Sequence, residues 1–174
     1  TTLFGSPANP SNSAAASFAF ASDGDESTYE CALDGPDFSA CTSPYAFDSL
    51  DDGTHNFAVR ATDEAGNTDA TPAEFAWTID TVAPETTLTA TPANPSNSAA
   101  GSIGFSSAEG GSTFECSLDG ADFDTCTSPY GYSGLADGAH HFQVQATDSA
   151  GNTDETAAEF NWTIDTVAPD TTLT

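Results

Sequence analysis

Residues 28–47 read TYECALDGPDFSACTSPYAF, and residues 113–132 read TFECSLDGADFDTCTSPYGY. In both stretches apolar and aromatic residues alternate with polar ones, which is the two-residue period of a half-buried β-strand. A Leu-Asp-Gly sequence interrupts each stretch and supplies the residues of a tight turn between two strands. The two stretches therefore predict the same β-hairpin in two copies of one repeat.

The repeat extends over the whole chain, because Thr1 recurs as Thr86 and Trp77 recurs as Trp162. About two-thirds of the aligned positions are identical, and no insertion is needed to keep the register. We expect the chain to be a window from a longer array, in which function lies in repetition. The predicted domains are residues 1–85 and 86–170, and residues 171–174 are expected to form the first strand of a third copy.

Apolar residues alternate throughout each copy and nowhere follow the spacing of a helix. Seven short strands, with turn residues at intervals of about 8 to 12, fit a two-sheet sandwich of the immunoglobulin or fibronectin type III kind. The predicted fold is all-β, with two tandem seven-stranded sandwiches, and an open barrel is the weaker alternative. Trp77 and Trp162 are expected in the core and not on a sugar-binding surface.

The four cysteines occur as two pairs with the same spacing, one pair in each predicted hairpin. We predict the disulfides Cys31–Cys41 and Cys116–Cys126, each across its hairpin. A four-cysteine zinc site is disfavoured, because such sites use pairs two to four residues apart. Disulfides point to an oxidising, extracellular compartment.

The charge is strongly one-sided, with 27 acidic residues, Arg60 as the single basic one, and a formal net charge of −26. Such a surface repels nucleic acid and anionic lipid and attracts cations, so no nucleic-acid partner is expected. No apolar run approaches the roughly 18 residues that cross a bilayer, so this fragment is not expected to insert directly into a membrane. At about 1 M salt the Debye length falls to roughly 3 Å, which would relieve the self-repulsion. We expect a halophilic or calcium-rich setting; the alternative is an ordinary acidic surface of a marine or soil microbe.

The run from Thr113 to Tyr130 resembles the cysteine-containing immunoglobulin-like tandem repeats of large bacterial and archaeal surface proteins. The closing run of each copy agrees with this resemblance; in the second copy it comprises Leu135, Asp137-Gly138, His140, Phe142, Val144, Ala146-Thr147-Asp148, Ala150-Gly151-Asn152 and Trp162-Thr163-Ile164-Asp165. The resemblance implies a stalk segment of an adhesin, surface-layer or biofilm-matrix protein at the cell surface. The lysine-free composition departs from the general pattern and suggests a haloarchaeal or similar source.

The junction between the copies, residues 79–85, contains a proline and no glycine, so it predicts a short, semi-rigid linker. Its acidic residues are expected to face a loop of the second copy, and hard oxygen ligands from both sides suit Ca²⁺. The alternative is a tight turn with a solvated acidic rim. A weaker acidic candidate, present in the first copy alone, is the loop with Asp23, Asp25 and Glu26. The predicted interdomain calcium ligands are Asp80, Glu85, Asp148, Asn152 and Asp154.

Enzyme function is not expected, because no nucleophile motif accompanies the histidines and the cysteines are assigned to disulfides. His55 and His140 occupy the same repeat position with inward-facing parity, which is typical of packed histidines. Asn161 begins the acceptor sequence Asn-Trp-Thr and is a candidate for glycosylation, whereas Asn9 and Asn94 precede proline and are excluded.

Three functions remain in view. The first is a non-catalytic spacer whose partners are the neighbouring repeats of the same chain. The second is a self-assembling extracellular filament subunit, in which copies of the chain join by strand addition. The third is a carbohydrate- or cell-recognition module, which is disfavoured because the loops are copied nearly as faithfully as the strands.

Overall fold

The computed structural model describes residues 1–23 and 26–173 of the 174-residue chain. Asp25 of the acidic loop in the first copy and Thr174 at the end of the chain lie outside the described residues. The described part contains strands and no helix, and so it offers no helix that could span a membrane. Contacts divide the chain into two compact units, Thr1–Val82 and Ala83–Thr174.

Each unit contains seven strands, as the alternating pattern predicts. The first unit comprises β1 (Thr2–Gly5), β2 (Ala16–Ala21), β3 (Thr28–Leu33), β4 (Ser39–Cys41), β5 (Tyr45–Phe47), β6 (Gly53–Thr62) and β7 (Ala73–Ile79). The second comprises β8 (Thr86–Ala90), β9 (Gly101–Ser107), β10 (Thr113–Leu118), β11 (Asp124–Cys126), β12 (Tyr130–Tyr132), β13 (Gly138–Thr147) and β14 (Ala158–Ile164). In the described residues, 171–173 form no strand, so their assignment to a third repeat stays a prediction.

Both units have the same topology, with a three-stranded sheet packed on a four-stranded sheet. The sheets of the first unit run β1-β2-β5 and β4-β3-β6-β7, and those of the second run β8-β9-β12 and β11-β10-β13-β14. All these strand pairs are antiparallel. Residues 42–44 join β4 to β5, and residues 127–129 join β11 to β12. At these points the chain passes from an edge strand of the four-stranded sheet to an edge strand of the three-stranded sheet.

The core lies between the two sheets of each unit, and aromatic residues make up half of the buried cluster described in each. In β2, Ala16, Phe18 and Phe20 are buried while Ser17 and Ala21 are exposed, which follows the period of a strand with one face in the core. The expectation for the tryptophans is confirmed, because Trp77 is 1% exposed and Trp162 is 2% exposed. The four-stranded sheet of each repeat is thus held by a buried tryptophan on its last strand.

Candidate functional site

The predicted disulfides are present in both hairpins. Cys31 bonds to Cys41 and Cys116 bonds to Cys126, with Cα atoms 5.8 Å apart in each pair. Each bridge joins two neighbouring antiparallel strands, β3 to β4 and β10 to β11. No cysteine in the described residues is free, so none of them offers a thiolate as a zinc ligand or as a nucleophile.

The predicted calcium ligand Asp148 lies at the start of the β13–β14 loop and is 9% exposed. Its Oδ1 accepts hydrogen bonds from the backbone nitrogens of Gly151 (2.7 Å) and Asn152 (2.9 Å), and its Oδ2 accepts one from the Asn152 amide (2.8 Å). Burial favours the neutral acid, but these donors outweigh it and hold the pKa of Asp148 below its ordinary value. Asp148 therefore shapes its own loop as an ionised carboxylate.

Asp154, another predicted ligand, ties the same loop to the first strand of the unit. Its Oδ2 accepts a hydrogen bond from the Thr86 backbone nitrogen (2.8 Å), and its Oδ1 accepts from the nitrogen and hydroxyl of Thr156 (both 2.9 Å). Burial raises the pKa of Asp154, yet the bonds from Thr156 and Thr86 lower it by more. This carboxylate joins β8 to the loop before β14.

The first unit repeats these contacts at the equivalent positions. The Asp63 carboxylate accepts from the backbone and side-chain nitrogens of Asn67 (2.8 Å each). Asp69 accepts from the Thr71 backbone nitrogen (2.9 Å) and from the Thr1 nitrogen (2.8 Å), as Asp154 does from Thr156 and Thr86. Asp148, Asn152 and Asp154 thus have a structural task that both repeats share.

The two remaining predicted ligands belong to different units. Asp80 lies in the first unit, where its Oδ1 accepts from the Val82 nitrogen (3.2 Å). Glu85 lies in the second unit with an exposed side chain, and its carbonyl oxygen accepts from Ala108 (2.9 Å). The structure brings Asp148 and Asn152 together, and the interdomain calcium site as a whole stays a prediction.

A histidine in each repeat makes two strong contacts that the sequence pattern does not reveal. His55 Nδ1 lies 2.7 Å from Asp34 Oδ2, and Nε2 lies 2.8 Å from the carbonyl oxygen of Asp51. The ring also packs on Trp77, with centroids 5.4 Å apart. The carbonyl of Asp51 and the Asp34 carboxylate raise the pKa of His55, although burial opposes them.

The second repeat has the same histidine arrangement. His140 Nδ1 lies 2.8 Å from Asp119 Oδ2, and Nε2 lies 2.8 Å from the carbonyl oxygen of Ala136. The pKa of His140 is raised by the same kinds of contact. Asp34 and Asp119 stand in the predicted turns, 21 residues before His55 and His140. The recurrence of both the aspartate and the histidine in the second repeat was the sequence signal for this pairing.

An asparagine in each repeat caps the outer edge of the last strand. The Asn9 amide nitrogen donates to the Ala76 carbonyl (3.3 Å), and its amide oxygen accepts from the Thr78 nitrogen (3.1 Å). Ser11 continues the cap, because its nitrogen donates to the Thr78 carbonyl and its carbonyl accepts from the Asp80 nitrogen (both 2.9 Å). Sequence analysis missed this role, although the sequence ANPSNS at residues 8–13 recurs unchanged at 93–98.

The equivalent cap covers β14 in the second repeat. Asn94 donates to the Asn161 carbonyl (3.1 Å) and accepts from the Thr163 nitrogen (3.1 Å). Asn161, the predicted glycosylation site, therefore lies on an edge strand whose backbone is capped, and its side chain is exposed. Its modification stays a prediction.

A shallow surface groove lies beside the disulfide in both repeats. Its volume is about 470 Å³ in the first repeat and about 430 Å³ in the second. An aromatic ring, the disulfide and several hydroxyl groups line it, through Tyr29, Cys41 and Ser43 in one repeat and Phe114, Cys126 and Ser128 in the other. Among the described residues that line the groove, none is charged in either copy.

Comparison with known proteins agrees with this architecture. Residues 124–166 match the family described as Bacterial Ig-like domain. The matched segment covers the strands from β11 to β14, including the second cysteine of the hairpin and Trp162. No curated protein matches the chain at a significant level.

Solved structures with this fold include fibronectin(III)-like modules of CbhA from Clostridium thermocellum. That similarity covers 94% of this chain and 93% of the other, with 17% identity and a TM-score of 0.55, and it shows the fold alone. A Ca²⁺-stabilised adhesin with which an Antarctic bacterium binds ice is matched over 90% of this chain and 46% of its own length, with 22% identity and a TM-score of 0.40. The expected immunoglobulin/fibronectin-III-like sandwich is confirmed.

Proposed function

We propose that this chain consists of non-catalytic spacer repeats of an extracellular prokaryotic surface protein, which form part of a semi-rigid stalk. The observation that supports this best is the recurrence of the structural contacts. Four sets of contacts in the first repeat reappear 85 residues later in the second. They are made by Asp63, Asp69, His55 and Asn9, whose counterparts are Asp148, Asp154, His140 and Asn94. The loops of both repeats thus form hydrogen bonds within their own domain, as repeated spacers require.

The edge strands favour a spacer over a filament built by strand addition. Strand addition needs an edge with unpaired backbone groups. In the described residues the place beside β2 is taken by β1 of the same repeat, so no strand from another chain is needed there, and the Asn9–Ser11 segment caps the outer edge of β7. The edge strands β1, β4 and β5 are only three or four residues long. Sequential domains of one chain need none of these edges.

The recognition alternative is weaker because the β6–β7 and β13–β14 loops are held by the same internal hydrogen bonds in both repeats. A recognition module places specific polar groups in a well-formed concave site. The groove beside each disulfide is shallow, and its described lining residues are uncharged and of the same kinds in both copies.

The proposed setting is extracellular, at the cell surface, and rich in salt or calcium. The disulfides suit an oxidising compartment. The net charge of −26 suits a medium in which cations screen the surface. Calcium at the junction, held by Asp80, Glu85, Asp148, Asn152 and Asp154, is part of this proposal because these residues offer oxygen ligands from the linker and both repeats.

Small-angle X-ray scattering of the 174-residue chain tests the spacer and calcium proposals together. We would measure it in chelator, in millimolar calcium, in equal magnesium, and in molar sodium chloride. A rod-like distance distribution in molar salt or calcium supports the spacer, whereas a collapsed or freely jointed pair under every condition contradicts it.

Glu85→Gln is the sharpest variant for the calcium site, since Glu85 is exposed while Asp148 and Asp154 shape their loop. The matched control is Asp170→Asn at the equivalent repeat position. If calcium stiffens the wild type and the control but not Glu85→Gln, the site stands. If calcium and magnesium act alike on all three, the site is wrong and the acidic surface is a general adaptation to brine.

A further inference from the structure

The hydrogen bonds of His55 require a specific protonation state. A backbone carbonyl can only accept a hydrogen bond, so Nε2 must carry a hydrogen to bind the Asp51 oxygen at 2.8 Å. Asp34 is ionised at neutral pH, because its pKa lies below the ordinary value, and its Oδ2 likewise accepts from Nδ1 at 2.7 Å. A neutral imidazole has one N–H group, whereas the two contacts need two. The arrangement is therefore that of an imidazolium.

The Asp34 carboxylate is itself held in place. Its Oδ1 accepts a hydrogen bond from the Asn56 backbone nitrogen (2.7 Å), next to the histidine on β6. A charge-assisted bond between imidazole and carboxylate is stronger than a bond to a neutral carbonyl. After loss of one proton the ring thus keeps its hydrogen on Nδ1, and the lone pair of Nε2 then faces the Asp51 carbonyl oxygen. The contact that fails is the one to the β5–β6 loop.

The same loop anchors the chain where it leaves the last strand. Asp52 follows Asp51, and its carboxylate accepts from the Thr81 nitrogen (3.2 Å) and hydroxyl (2.9 Å). In the second repeat, Asp137 follows Ala136 and accepts from the Thr166 nitrogen (3.1 Å) and hydroxyl (2.8 Å). The histidine and the segment after the last strand are therefore joined through two consecutive loop residues in each repeat.

We propose that each repeat contains a pH-sensitive clamp, in which a doubly hydrogen-bonded imidazolium holds the loop that anchors the segment leaving the last strand. As pH rises through the titration of the histidine, the imidazolium loses a proton to solvent, the β5–β6 or β12–β13 loop loosens, and Thr81 or Thr166 loses its anchor. If the chain is a stalk, which rests on the proposed function, the segment that leaves each last strand would become more mobile as pH rises. The clamp itself exists whether or not the chain is a spacer.

The groups around the two histidines provide a natural comparison. His55 faces the Asp34 carboxylate from the turn, the Asp51 carboxylate from the loop and the Trp77 ring from β7. His140 faces Asp119 and Trp162 in the same places. In the second repeat Ala136 stands where the first has Asp51, so His140 lacks one of the two carboxylates. The clamp of the first repeat is expected to open at a higher pH than that of the second.

The test is NMR on the whole 174-residue chain, in molar sodium chloride with chelator present so that the fold is screened and calcium plays no part. The ring protons of His55 and His140 give the titration of each clamp histidine. Amide exchange at Thr81 and Thr166 reports the two anchors, and exchange at buried Val59 reports global opening. Each exchange rate is divided by its intrinsic rate at that pH.

We expect the protection of Thr81 and Thr166 to fall as pH rises through the titration of His55 and His140, while Val59 stays protected. By linkage the fall, in powers of ten, equals the difference between the pKa of the clamped histidine and its ordinary value of 6.5. Asp51→Ala gives the first repeat the alanine that the second repeat has at this position, and it keeps the backbone carbonyl that His55 contacts. It should move the His55 titration and the Thr81 transition down together, to the pH of the second repeat.

His55→Gln removes the titration and should abolish the pH step at Thr81 while leaving that at Thr166. Three results would overturn the clamp. One is a His55 titration at or below the ordinary value, and another is a Thr81 transition that tracks Val59. The third is a Thr81 step that persists in His55→Gln or stays unmoved in Asp51→Ala.

Discussion

At the scale of single residues, the two repeats fill equivalent parts of their cores with different pairs of side chains, in which a larger residue lies opposite a smaller one. Ala16 lies opposite Phe47 in the first repeat, and Gly101 lies opposite Tyr132 in the second. A Cβ atom on Gly101 would lie 2.6 Å from the Tyr132 hydroxyl oxygen and 2.9 Å from the ring carbon that bears it. The glycine therefore makes room for the extra hydroxyl of the tyrosine.

This exchange predicts a compensated pair of substitutions. Gly101→Ala should destabilise the second repeat by about 1 to 3 kcal/mol, because overpacking a filled core strains it. Adding Tyr132→Phe should restore stability, since the pair then matches Ala16 and Phe47 of the first repeat. Urea unfolding of both single variants and the double variant checks this. Additive effects would show that the two positions are not coupled.

A second exchange occurs at the irregular pairing of the first strand. Gly5 lies beside Ala19 in the first repeat, and Ala90 lies beside Gly104 in the second. A Cβ atom on Gly5 would approach the Ala19 Cβ to 3.1 Å, and one on Gly104 would approach the Ala90 Cβ to 3.2 Å. Only one Cβ fits comfortably at this crossing, and the repeats place it on opposite strands.

At the scale of elements, the disulfide secures the short strand β4, which is paired on one side only. Replacing Cys31 and Cys41 together by serine should lower the free energy of unfolding of the first repeat by about 2 to 3 kcal/mol, the chain-entropy effect for a ten-residue loop. The second repeat, with its own bridge, is the internal control. Thermal unfolding should then show one shifted and one unshifted transition, and an unshifted pair would contradict a stabilising role.

The cap on the last strand gives a second prediction at this scale. Asn9→Ala should leave the Ala76 carbonyl and the Thr78 nitrogen without their partner, at a cost of about 1 kcal/mol. It should also increase self-association through the exposed edge of β7. Amide exchange at Thr78 and analytical ultracentrifugation measure the two effects. Thr163 in the second repeat, whose nitrogen donates to the unchanged Asn94, is the internal control. An Asn9→Ala variant in which Thr78 exchanges no faster than Thr163, and which sediments like the wild type, would rule out the cap.

At the scale of the whole molecule, stability should peak in mildly acidic solution. Asp63, Asp148 and Asp154 have a lowered pKa, so their contribution is present above the ordinary value of 3.8 and is lost as pH falls through the folded value. His55 and His140 have a raised pKa, so theirs is present below 6.5 and is lost as pH rises through the folded value. Urea midpoints in molar salt from about pH 3 to about pH 9 should therefore peak between these limits, and a midpoint that rises throughout would be contrary.

The net charge of −26 gives a second prediction for the whole chain. Melting temperatures should rise steeply from low ionic strength to about 1 M sodium chloride, as the Debye length shortens to roughly 3 Å. Sodium and potassium chloride should act alike if screening is the cause. A melting temperature independent of salt would mean that the acidic surface causes no significant repulsion.

The sequence by itself determined the strands, the hairpin disulfides and the buried tryptophans, because these follow from a two-residue period and from short spacings along the chain. It also indicated the sandwich, since the strand count and turn spacing leave few alternatives. For the predicted calcium ligands, the sequence identified acidic residues near a turn. It did not show that Asp148 and Asp154 hold that turn and β8 together.

The tertiary structure alone decided which distant residues meet. Asn9 caps Thr78 across 69 positions, and His55 reaches Asp34 across 21, so neither contact has a period or a motif. The sheet register brings Gly101 opposite Tyr132, and a methyl group at that crossing would clash. Strand formation depends on neighbours along the chain, whereas caps, clamps and core fits depend on neighbours in space. For that reason the pattern of this sequence predicted its fold better than its contacts.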